Sequence, residues 1–122
     1  FDLSSGNVAY PDNPEQRQAE NIYRLRNSPF VGDIYGDPAF QAALKATWNK
    51  YHTEIMSIPD YIDAQVKRLE LSTAANNKIW DINAWYGNTW QLPGSYATEV
   101  GFFRDWMKRR VIWMDQDINS TK

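Results

Sequence analysis

Arg110 is the residue whose position is hardest to explain by solvent alone. On a helical wheel it projects between two apolar stripes of the final helical pattern, which runs from Ser95 to Ile118. A guanidinium withdrawn from water needs a carboxylate or several carbonyls to offset its desolvation. A buried ion pair that fixes helix packing is the preferred reading, with an anion-binding arginine as the functional one. Lys108 and Arg109 do not extend it into a phosphate patch, because the three side chains point in different directions. Asp105 stands at helical spacing from Lys108 and Arg109, as expected for a solvated face.

Three other groups have types that do chemistry. His52, the single histidine, lies at the edge of an apolar stripe with Tyr51 and Glu54 beside it. An imidazole can act as a base with a distant carboxylate, but this helix-flank position suits a surface or boundary residue better. Trp80, Trp85, Tyr86 and Trp90 could stack sugar rings, although aromatics more often pack a core. A solvent-facing pair at Trp85 and Trp90 would decide for ligand stacking. Asp2 ends a short extended start before the turn Ser4-Ser5-Gly6-Asn7. An acid so placed can hold a divalent cation against phosphates, but an aspartate at a strand end is common. No second histidine offers a zinc site, and no set of closely spaced acids resembles a calcium loop. Gly32-Asp33-Ile34-Tyr35-Gly36 lacks phosphate-loop spacing and reads as a turn.

Composition narrows the setting. A chain of 122 residues forms one domain. With 43% hydrophobic and 23% charged residues, it has the make-up of an ordinary globular protein. Its formal charge of −2 and pI near 5.3 supply no basic surface for nucleic acid or an anionic membrane. The apolar runs are far shorter than the roughly 20 residues that span a bilayer. Without cysteine there is no disulfide framework, thiolate metal site or thiol nucleophile. The chain opens on Phe1 without an initiator methionine, as expected for the C-terminal part of a larger protein.

The pattern predicts an all-α, or nearly all-α, single domain spanning residues 1–122. Residues 1–12 are expected to be extended or turn, and 13–122 to hold four principal helices. Asn13-Pro14-Glu15-Gln16 starts the first, with Asn13 as cap and Pro14 as the first helical residue. Pro29 should stop it near Asn27. Asp37 and Pro38 start the second in the same way, and Phe40, Leu44, Trp48, Tyr51 and Ile55 fall within an arc of about 80°. The third follows Pro59 and carries Ile62, Val66, Leu69, Thr73 and Trp80 on one side. Ala64, Leu71 and Ala75 lie opposite, which predicts packing on two faces. The last is capped by Ser95 and is roughly 34 Å long at about 1.5 Å per residue. One of its stripes is Tyr96, Val100, Phe103, Met107, Val111, Met114 and Ile118; the other is Phe102, Trp106 and Trp113.

Three stretches, in this order and spacing, resemble the C-terminal part of the CotH-like kinase family, known from spore-coat and secreted bacterial proteins. Phe1-Asp2-Leu3-Ser4-Ser5-Gly6-Asn7 is similar to the end of the family's W-D-x-D-x-x-x-G-N phrase. Asp37-Pro38-Ala39-Phe40 leading to Trp48 resembles its D-P-x-F…W helix. Tyr96, Glu99-Val100, Trp106, Arg110, Trp113 and Asp115 resemble its Y-x-x-E-V…W-x-x-x-R-x-x-W-x-D helix. The resemblance implies an atypical kinase-like fold that transfers phosphate from ATP to secreted proteins with magnesium or manganese.

By position, Asp2 matches the second acid of the aspartate phrase and is the candidate metal ligand. The first acid, the nucleotide-gripping lysine with its glutamate, and the catalytic aspartate would all lie upstream of Phe1. The chain would then be a helical C-lobe segment, inactive alone, that buttresses the site and packs against the upstream part of its parent. Glu99, or another acid, paired with Arg110 would belong to that support. Removing the upstream lobe would leave an apolar face and promote self-association. A secreted or envelope-associated bacterial location follows from the resemblance only. The alternative is a helical binding module working through Trp80, Trp85 and Trp90, with carbohydrate as its candidate ligand.

Overall fold

The computed structural model describes residues 18–21, 28–80 and 95–120. These residues hold five helices and no strand: α1 (Pro29–Gly36), α2 (Pro38–Lys50), α3 (His52–Met56), α4 (Ile58–Ile79) and α5 (Tyr96–Ser120). The largely helical expectation is met there. The extended start at Phe1–Leu3 and the cap at Asn13 lie outside the described residues.

Asp37 separates α1 from α2 and serves both. The proline that follows disfavours helical geometry, and Asp37 is extended at φ −76° and ψ 121°. Its backbone N–H closes the end of α1 on the Ile34 carbonyl at 3.1 Å. Its Oδ1 accepts from the N–H groups of Ala39 at 2.7 Å and Phe40 at 3.4 Å, capping α2 as predicted. Ser95 caps α5 in the same way, its Oγ accepting from the Thr98 N–H at 3.1 Å.

Four expectations need correction. Gly32 to Gly36 is the end of α1 rather than a free-standing turn. Pro29 suits the first helical turn, and tertiary contacts outweigh the cost of the glycines. The Tyr35 ring meets Phe40 edge-on at 5.2 Å, and Gln41 Nε2 donates to the Tyr35 carbonyl at 2.8 Å.

The stripe from Phe40 to Ile55 is not continuous. Tyr51 leaves helical geometry at φ −107° and ψ 16°, so α3 starts as a separate short helix. The Tyr51 ring is 47% exposed, with Lys50 Nζ 5.0 Å from its centroid.

Of the helix expected from Pro14 to Asn27, none of the four described residues is helical; Ala19 and Glu20 lie in a turn and Asn21 in a bend. The carbonyls of Ala19 and Asn21, which a helix would use internally, point at α5 instead.

The fourth correction concerns α4. Ile62, Val66 and Thr73 are half-buried, but Ala64 and Ala75 on the opposite face are exposed, and Leu71 is 85% exposed. The described structure therefore packs α4 on one face, and its pairing with α5 has a definite register. As the chain advances from Lys45 through Trp48 and His52 to Asp63, its partners on α5 step back from Asn119 through Asp115 to Arg104. The α2–α4 run is thus antiparallel to α5, and the far end of α4 passes beyond the start of that helix. α5 is the spine, about 37 Å long at 1.5 Å per residue. Its Trp106, Val111 and Ile118 are buried together with Trp48 and Ala19, which puts the core along its middle and C-terminal half.

Candidate functional site

Two polar clusters sit on α5, one turn apart. The first is built by consecutive arginines. Arg109 reaches Glu20 with Nη1 at 3.0 and 3.1 Å from the two carboxylate oxygens, while its Nε bonds Asp105 Oδ2 at 3.0 Å. The Asp105 pairing is the i, i+4 contact expected from spacing; the Glu20 partner is not visible in sequence. Arg110 is half-buried, and its Nη1 donates to the carbonyls of Ala19 at 2.9 Å and Asn21 at 2.5 Å. One guanidinium nitrogen carries two hydrogens and can serve both acceptors.

Arg110 also lies over two indoles, 5.8 Å from the Trp106 ring centroid and 5.0 Å from that of Trp113. Trp106, Arg110 and Trp113 share a helix face at steps of four and three, so local geometry brings them together. At these distances the ring quadrupoles attract the cation.

The expected partner Glu99 is elsewhere. It lies in the first turn of α5, where a carboxylate suits the positive end of the helix dipole. Arg110 is eleven residues further on, about 16 Å along the axis, and among the described residues no ion pair joins the two. Among the described residues its acceptors are the carbonyls of Ala19 and Asn21, which long-range packing brings to it.

The second cluster centres on Asp115. Its Oδ1 accepts from Trp48 Nε1 at 2.8 Å and from Asn119 Nδ2 at 3.0 Å, with His52 Nε2 3.3 Å away. Asn119 passes the contact on: its Oδ1 accepts from Asn49 Nδ2 at 3.2 Å and its carbonyl from Lys45 Nζ at 3.0 Å. One α5 carboxylate thus gathers donors from α2 and its own helix, with the α3 imidazole alongside. An Asp–His pair can serve acid–base chemistry. Here the oxygen nearest His52 already accepts from two donors, which suits holding helices in register. Sequence reasoning placed His52 at a boundary, as found, but did not identify Asp115 as its partner. The one available local signal was Asn119, four residues after Asp115.

Among the described residues, no group of three or more His, Cys, Asp or Glu side chains could hold a metal ion. No helix there is long and apolar enough to cross a membrane. Asp2, Trp85 and Trp90 lie outside the described residues. Trp80, at the end of α4, is 56% exposed. Set against protein-family models, curated proteins and solved structures, the chain matches none.

Proposed function

We propose that this chain is the helical C-terminal segment of a CotH-like secreted protein kinase and buttresses a phosphoryl-transfer site that lies mostly upstream. The observation that carries the proposal is the 2.8 Å bond from the Trp48 indole to Asp115. Trp48 ends one stretch that resembles the family and Asp115 ends another, 67 residues later. Within the last stretch, Trp106, Arg110 and Trp113 also meet one another. Residues singled out by a linear resemblance are therefore partners in space, as expected if the pattern records a packing constraint.

ATP and magnesium or manganese are what the resemblance assigns to the parent, with Asp2 as this chain's candidate ligand. The metal and nucleotide supply the electrostatics of phosphate transfer; the helices supply support. The test is ATP-dependent phosphate transfer to protein by the parent with magnesium or manganese, beside Asp2→Ala. Loss of transfer in the variant supports the proposal. A wild-type parent that neither binds nucleotide nor transfers phosphate sinks it, and activity indifferent to the substitution removes Asp2 from the site.

On this reading the exposed Leu69, Leu71, Ile79, Phe102 and Phe103 are covered in the parent by its upstream part. The isolated chain should then self-associate with rising concentration in sedimentation, and the parent should not.

The exposed indole of Trp80 favours one second reading, a carbohydrate-binding module. Quenching of tryptophan fluorescence by oligosaccharides, lost in Trp80→Ala, would support it.

A further inference from the structure

Three consecutive residues, Ala19, Glu20 and Asn21, are held by two consecutive arginines of α5. The two contacts differ in kind. Arg109–Glu20 is an exposed ion pair, with side chains 45% and 42% accessible. Arg110 instead serves backbone carbonyls from beneath two indoles, next to Ala19, which is fully buried. An ion pair alone would tether the segment loosely, because exposed pairs are weak and screened by salt. Two carbonyls two residues apart on one guanidinium nitrogen fix where the backbone runs as well as its proximity. Lysine cannot reproduce this, being a point charge without the planar fork that stacks on rings.

We propose that Arg110, assisted by Arg109, is a positioning residue: it pins the chain at Ala19–Asn21 to α5, and phosphate transfer by the parent depends on that alignment. This role rests on the kinase reading above. Alignment matters because misplacement by about 1 Å can cost on the order of a hundredfold in rate. The resemblance puts the nucleotide-gripping groups upstream, so loosening this clamp lowers kcat and leaves KM for ATP unchanged.

The experiment uses the parent protein and two readouts: amide hydrogen exchange at residues 19–21, and phosphate transfer at varied ATP. Arg110→Gln and Arg110→Lys are both expected to speed that exchange tenfold or more and to lower kcat about tenfold at constant KM. The exposed pair guards against misfolding as an explanation. In an Asp105→Ala background, which removes the second carboxylate beside Arg109, Glu20→Arg and Arg109→Glu should each lower kcat about threefold, and the double charge swap should restore both exchange and kcat. Faster exchange at 19–21 with kcat unchanged overturns the positioning role and leaves the kinase reading standing. So does a kcat loss accompanied by general loosening of every helix, which the charge swap would fail to repair. A wild-type parent without phosphate transfer overturns the kinase reading and this role with it.

Discussion

Where α2 crosses α5, the indole of Trp48 is buried and its N–H is given to Asp115; at the far end of α4, the indole of Trp80 is 56% exposed and Leu71 is 85% exposed. Both regions are helical and both contain large apolar side chains. What differs is what lies alongside. Trp48 sits where α5 is in register beside it, whereas the last residues of α4 have run beyond the start of that helix. Burial here follows the overlap of elements more than the hydrophobicity of individual residues. One end is held by a carboxylate accepting from two donors with an imidazole beside it, while among the described residues the Asp63–Arg104 ion pair, half in solvent, is the main polar link on α4. Regions with few buried contacts open locally at lower free energy than a packed core.

The largest test of this contrast is Trp48→Ala. Removing a buried tryptophan should cost about 3–5 kcal/mol in chemical denaturation; a loss below about 1 kcal/mol would erase the distinction between the two ends. Trp48→Phe sharpens it by keeping a ring and deleting the donor, with an expected loss of about 1–2 kcal/mol. If Phe is tolerated without loss, area rather than the Asp115 bond holds the crossing.

Asp37→Ala removes the α2 cap and should cost about 1 kcal/mol, seen as a lower melting temperature. Asp63→Asn, which breaks the exposed pair, should cost less than about 1 kcal/mol and lose its effect at high salt. Leu71→Lys should change stability within about 0.5 kcal/mol. Amide exchange should also run faster over residues 74–80 than over 106–118, and equal protection would contradict the contrast.

Much of the local structure was legible in the sequence. The aspartate before Pro38 and the serine before Tyr96 are caps whose partners lie two or three residues away, so nothing distant can override them. Val111, Ile118 and Trp106 were likewise readable as core from helical spacing. Short-range rules failed where packing intervened. α1 was hidden by its glycines because Phe40 and Gln41 stabilise it from the next helix. The break at Tyr51 leaves no mark in the apolar spacing. The candidate site was legible in half: Arg110 stood out as needing acceptors, and Trp106 and Trp113 were on its face. Its carbonyl partners, and the pairing of Trp48 with Asp115, depend on chain segments that approach only in three dimensions.

The antiparallel run of α2–α4 along α5 also sets an order in time. The contacts that bring the segments together join residues 67, 74 and 91 positions apart. Each has its second partner on α5, so none can form on the ribosome until that helix has been made. Until then the Trp48 indole lacks its Asp115 acceptor, and the Ala19 and Asn21 carbonyls lack Arg110. The helices themselves are built from neighbouring contacts and form fast, so docking on α5 is the step left over, and the apolar stripes stay open until it occurs. Among the described helices, α2, α3 and α4 all wait on α5, which follows them in the chain.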